Sequence, residues 1–179
     1  VEHKNKNGTI YTIPFETETG EVLIATTRPV YLPACVALGV NPDDDRYKHL
    51  IGGRAKVPIT GHEVPIIANE EVDPEFGTGA MMICTYGDKA DVVAVARYKL
   101  PVITLLDHRG HITEAGGKYA GMYIAKAQKT IIADLREAGL IRDEKQLNQE
   151  VGLCWRCSTA IEIVAAQQWF FRTISLTER

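Results

Sequence analysis

Two acids stand at the end of the stretch GTGAMMICTYGDKAD, residues 77–91. Tyr86-Gly87 is a turn signal, and Asp88 after it is a suitable N-cap for a helix that begins Lys89-Ala90-Asp91. Spaced three apart, Asp88 and Asp91 lie on one face of that first turn. An ionised pair can hold an ammonium group through charge-assisted hydrogen bonds. If the two are buried together, one carboxyl rises in pKa and can act as a general acid or base. Acids also favour helix starts for capping and dipole compensation alone, and the pair by itself fits either role.

A second cluster is ATTRP, residues 25–29. Thr26 and Thr27 supply hydroxyls and Arg28 a guanidinium, a set that can surround a small polar ligand or an ester oxygen. A polar strand terminus with a surface arginine has the same composition. The third is the CxxC pair Cys154 and Cys157. A tetrahedral zinc site needs four ligands, and no second CxxC or histidine pair lies nearby. The two thiols are therefore half of a knuckle completed elsewhere, or idle. No GxSxG elbow is present, and no histidine sits near the acids, so nucleophilic catalysis has little support. P-loop and Rossmann glycine fingerprints are missing, which argues against ATP or NAD binding by this segment. Cys84, inside an apolar run, reads as packing rather than as a nucleophile.

The elements that must position these groups are mostly short strands. Residues 9–15 and 21–26 read as a pair joined through Thr19-Gly20, the second ending where Pro29 biases Arg28 to extended backbone. Residues 33–40 form another apolar run, and Pro42 followed by three aspartates is expected to open a short helix. Residues 54–59 and 63–68 read as a hairpin whose prolines belong at edges, strand starts or bulges. A buried strand is expected over 80–85, a helix over 88–98, a strand over 102–106, and the clearest helix over 124–138, with Gly139 as its C′ residue. Gly77 and Gly79 let the backbone approach a ligand closely. Many short strands with two or three helices predict a compact, closed or nearly closed β-rich sheet with peripheral helices; the βαβ rhythm of a doubly wound sheet is absent. The character changes at residue 151, giving an expected division into 1–150 and an appended segment over 151–179.

Length suits one domain with a real core. The net charge of −3 argues against a broad nucleic-acid surface but not against a pocket that grips the end of one strand. No apolar run approaches the roughly 18 residues of a membrane span, and no signal peptide is visible. Four cysteines without a disulfide framework point to a reducing cytoplasm. The chain begins at Val1 without a Met and stops in a polar tail, as expected of a segment excised from a larger protein.

Taken together and in this order, ATTRP at 25–29, NPDDDRY at 41–47, VDPEFGTG at 72–79, the GD…D pair at 87–91, and CWRC at 154–157 followed by QQWF at 167–170 resemble the editing domain of valyl-tRNA synthetases. The wording around them is similar to archaeal-type enzymes, and the resemblance covers 11–170. The isoleucyl and leucyl enzymes carry related insertions and are the nearest alternatives. A free-standing deacylase and a non-catalytic tRNA-binding connective module are the others.

The resemblance implies a mixed, β-rich fold with a closed β-barrel core and peripheral helices. It implies hydrolysis of the ester of mischarged threonyl-tRNA(Val) by a positioned water. Asp91 matches the family aspartate that holds the substrate ammonium and Asp88 the second acid, while Thr26, Thr27 and Arg28 match the threonine-rich strand. Tyr31, Thr78, Gly79, Met82 and Cys84 fall at expected substrate-lining positions. This chain departs from the family pattern at Val30 (often Glu), Tyr31 (Thr in bacterial enzymes), Met82 (Lys) and Gly87 (often His). Tyr31 and Cys84 are the candidates for the contact to the threonine hydroxyl. Editing itself is expected to need no cofactor; Cys154 and Cys157 would form a zinc site only with cysteines outside this segment. The expected partners are the 3′ end of tRNA(Val) and the rest of a synthetase, in a monomeric, cytoplasmic protein that meets no membrane.

Overall fold

A computed structural model of the chain describes residues 1–169. Phe170, the last residue of the QQWF motif, and the polar tail after it lie outside the described residues. Seven strands form the sheet: β1 (Glu2–Thr17), β2 (Gly20–Thr26), β3 (Cys35–Val40), β4 (Arg54–Lys56), β5 (Glu63–Ala68), β6 (Ala80–Cys84) and β7 (Asp143–Leu153). Two α-helices, α1 (Lys89–Arg97) and α2 (Ile124–Glu137), accompany three short 3-10 turns, at Pro29–Ala34, Lys48–Leu50 and Glu114–Tyr119.

Alternation sets the register. On β1, Ile13 and Phe15 point inward and pair with Ile24 and Val22 of β2, and all four are buried. They meet Leu38 of β3, Ile66 of β5, and the α2 residues Ile131 and Leu135 in one continuous core. Burying side chains of this size contributes roughly 1.5–3 kcal/mol each. The other face of β6 is covered separately: Ile83 packs with Val36, Ala37, and Ala94 and Val95 of α1. Helix α1 is thereby fixed against β6, and α2 against the turn that follows β2.

The sheet runs β2-β1-β4-β5-β3-β6, with β7 on β1. β3 and β5 are parallel, and the other pairs are antiparallel. The expected closed barrel is corrected here: the sheet curls into a half-barrel that stays open, because its two end strands, β2 and β6, share no ladder among the described residues. Local chemistry explains the gap. Thr85 N–H donates inward to Ala34 O on the β3 side at 3.1 Å. The preceding N–H, on Cys84, faces the free edge and is taken by the Asp91 carboxylate at 3.1 Å. A side chain thus occupies the bond that a closing strand would need.

Other differences have similar causes. No helix opens at Pro42; Asn41 and Asp44 side chains instead accept the backbone N–H groups of Asp43 and Arg46, at 2.9 and 3.0 Å. Such Asx turns compete with helix formation. The strand expected over 102–106 is reduced to one bridge, Leu106 to Ile112, since Ile103 N–H is taken by the Thr85 hydroxyl. β1 begins earlier than expected because its polar first half is paired along β7.

Candidate active site

The edge between β2 and β6 is where the chemistry collects. Asp88 caps α1 in extended backbone (φ −151°, ψ −171°), its carboxylate accepting Asp91 N–H at 2.8 Å. One turn in, Asp91 is 6 % exposed. Its Oδ1 accepts from Cys84 N–H, and its Oδ2 has no hydrogen-bond partner among the described residues. A Cβ on Gly87 would stand 2.3 Å from that Oδ2. The missing side chain at Gly87 is what leaves room for the carboxylate. Burial, and then the charge of Asp88, push the Asp91 carboxyl up to about 7, against the two backbone N–H groups that favour its ionised form.

Opposite stands the ATTRP corner. Thr26 Oγ1 accepts Arg28 N–H at 3.1 Å, closing a local turn. Gln128 of α2 clamps the next residues, donating to Thr27 O at 3.1 Å and accepting Val30 N–H at 2.9 Å. The Thr27 hydroxyl has no partner among the described residues. Arg28 reaches over the gap: Nη1 donates to Gly87 O at 3.2 Å. Its Nη2 donates to Tyr31 Oη at 3.4 Å and to Glu162 at 2.5 Å, and the guanidinium carbon lies 4.5 Å from the Tyr31 ring centroid. Tyr31 in turn donates to Glu162 at 2.9 Å. Burial alone would lower the Arg28 pKa, but the tyrosine and glutamate beside it outweigh that and raise it. Burial raises the Tyr31 phenol well above its ordinary value.

The structure therefore brings Arg28, Gly87, Asp88 and Asp91 together, with Thr27 beside Arg28 in sequence and held by its backbone carbonyl. It places the other expected residues differently. Tyr31 and Cys84 are 2 % and 1 % exposed, and the Cys84 thiol donates to Tyr31 O at 3.4 Å. Met82 lies on the core side of β6 and packs against the main cluster. The Thr78 hydroxyl donates to Ala80 O at 3.3 Å. Gly79 (φ +78°) is required by an internal ion pair: its Cβ would come within 2.2 Å of Arg46 Nη2. That guanidinium grips Asp44 at 2.6 Å and Pro74 O at 2.6 Å. Gly77 touches β2, where a Cβ would lie 3.2 Å from Ala25 Cβ.

Two participants carry no motif. Gln128 sits beside the apolar stripe of α2, and Glu162 is a lone acid in the run IEIVAA. An acid among apolar residues was the only available signal for Glu162. Cys154 and Cys157 bracket a tight turn, where hydrogen bonds with Thr159 hold the Cys157 thiol below its usual range. Two thiols leave a tetrahedral site two ligands short. No group of three metal-ligating side chains occurs among the described residues.

No protein-family model matches the chain. Among curated proteins it is 49 % identical over 173 residues to valine–tRNA ligase of Methanopyrus kandleri, covering 92 % of this chain and 19 % of the relative. It is 48 % identical over 172 residues to that of Methanocaldococcus jannaschii, covering 95 % and 20 %. For that of Methanosarcina mazei the identity is 53 % over 152 residues, covering 85 % and 18 %. The chain thus spans about one fifth of the length of these relatives. Among solved structures, the agnB2 LeuRS of Agrobacterium radiobacter K84, determined as a ternary complex with tRNA and LeuAMS, superposes with a TM-score of 0.57 at 18 % identity, over 90 % of this chain and 24 % of that one. That likeness supports the fold alone.

Proposed function

The chain is homologous to a segment of archaeal valine–tRNA ligase, and on that premise we propose that it is the enzyme's editing domain, hydrolysing the ester of threonyl-tRNA(Val) with a positioned water. The supporting observation is the buried Asp91 carboxylate, with its Oδ2 unpartnered among the described residues, beside Gly87, whose carbonyl the Arg28 guanidinium grips. An aminoacyl ester carries an ammonium next to its carbonyl. That ammonium would sit against Asp91 Oδ2 and stabilise the ionised form, drawing the raised pKa back down.

Arg28 and Thr27 then face the ester, where they would orient it and stabilise charge developing on the carbonyl oxygen. Water adds to the carbonyl carbon, the bond to the ribose oxygen breaks, and that oxygen takes up the proton; free threonine and a tRNA 3′ hydroxyl result. No covalent intermediate with the protein is needed. A second site of this kind is physically required wherever a synthetic pocket shaped for valine meets threonine, an isostere with one added hydroxyl. Tyr31 and Cys84 are engaged inside the protein, so the Thr27 hydroxyl is the better candidate to sense that group. Cys154 and Cys157 would supply two thiolates to a structural zinc knuckle whose remaining ligands lie elsewhere. The 3′ end of tRNA(Val) and the rest of the synthetase are the proposed partners.

Asp91→Ala is the direct test of the anchor. Deacylation of threonyl-tRNA(Val) is expected to fall by about 100-fold or more, as a lost charge-assisted contact to the reacting group implies. Full activity in that variant would refute the assignment.

A further inference from the structure

We propose that Glu162 is a positioning residue for this site, acting through Arg28. The inference rests on the proposed function above in taking Arg28 as a group that meets the ester.

Arg28 is attached to the ATTRP corner only by its own flexible side chain. Its backbone is satisfied locally, by Thr26 Oγ1 at the N–H and by Tyr31 N–H at the carbonyl. Everything that aims the guanidinium is therefore a contact made by its own nitrogen atoms. Three groups do so: the Gly87 carbonyl, the Tyr31 phenol and the Glu162 carboxylate. Only the last carries a full charge opposite to that of Arg28. It also accepts from Tyr31, so one carboxylate oxygen fixes both the cation and the aromatic ring against which the cation lies. Removing it would leave Arg28 with a neutral carbonyl and a phenol free to turn.

Glu162 reaches this place by a separate route, which makes the contact more than a chance surface pair. After β7 the chain reverses at the CxxC turn, where Ala160 bridges Leu153 and Ile161 N–H donates to Gly152 O at 3.0 Å. Beyond Glu162, residues 163–165 line a small cavity with Tyr31, Thr85 and Leu105. The acid thus follows a hydrogen-bonded turn and is delivered to a corner 134 residues away in sequence. The arrangement couples the seating of this returning segment to the aim of Arg28.

The test uses the intact gene product. Glu162→Ala is expected to lower kcat for threonyl-tRNA(Val) deacylation about 10-fold or more, with KM changed less than about 2-fold. Glu162→Gln, which keeps an acceptor for both partners but not the charge, should recover part of that loss. In an Arg28→Ala background Glu162→Ala should add little, because residues that act as a unit are not additive. A readout free of activity is the Arg28 Nε–H signal in 15N-labelled protein, ordered in the parent and mobile in Glu162→Ala. An equally ordered Arg28 in Glu162→Ala overturns the proposal, as does a loss of activity that persists undiminished without Arg28. Failure of the editing reading would look different: no deacylation by the parent protein, with the Arg28 signal still dependent on Glu162.

Discussion

Arg28 Nη1 donates to the carbonyl of Gly87 at 3.2 Å, joining the end of β2 to the cap of α1 across the gap between the sheet's two end strands. A closed barrel would have put a strand ladder there. The open edge instead holds a guanidinium on one side and a buried carboxylate on the other. Most of what is proposed for this site follows from that gap, and each part of it can be tested.

Gly87 has no left-handed backbone to explain it; its constraint is the 2.3 Å between a Cβ there and Asp91 Oδ2. Gly87→Ala should displace the carboxylate and reduce threonyl-tRNA(Val) deacylation by about 10- to 100-fold. The fold should survive, since the clash is with a side-chain end. Parent-like activity in Gly87→Ala would show that the carboxylate position is not critical.

The Asp91 carboxyl is raised to about 7, so the native state holds this proton more tightly than the unfolded chain does. The stability this contributes is fully present below about pH 4 and is lost as pH rises through about 7. Asp91→Asn keeps an acceptor for Cys84 N–H and removes the buried charge. It should flatten this part of the stability profile and gain on the order of 1–3 kcal/mol at pH 8, read from denaturant unfolding. Activity runs the other way: an ammonium anchor must be ionised, so kcat/KM should rise with pH through about 7.

Gln128 ties α2 to the threonine corner through Thr27 O and Val30 N–H. Gln128→Leu strands both backbone groups in a half-buried site. A loss of about 1–3 kcal/mol is expected in equilibrium unfolding. Deacylation should weaken as well, because Thr27 and Arg28 then lose their support.

Gly79 answers to Arg46 rather than to a substrate. Gly79→Ala combines a φ of +78° with a 2.2 Å approach to the Arg46 guanidinium. A destabilisation of about 1–3 kcal/mol should follow, seen as a lower Tm. If deacylation changes while Tm does not, the loop contacts the substrate after all.

What was legible in the chain was what is local. The Asp88 cap follows from chemistry within three residues. The second helix follows from its apolar period and from Gly139, which adopts φ +66° at its end. The helix expected at Pro42 failed locally too, because three consecutive aspartates offer turns as readily as a helix start. Closure was not legible, since it depends on whether β2 and β6, far apart in sequence, form a ladder. Nor were the site's long-range partners: Gln128 and Glu162 reach the corner from 101 and 134 residues away, and neither belongs to a motif. Tyr31 and Cys84 looked like pocket residues from their positions, but their side chains turn into the protein.

Editing requires discrimination, so the most direct measurement compares hydrolysis of threonyl-tRNA(Val) with that of valyl-tRNA(Val) by the same protein. Editing predicts rapid release of threonine and release of valine near the uncatalysed rate. Equal rates for the two esters, or no hydrolysis of either above background, would contradict it.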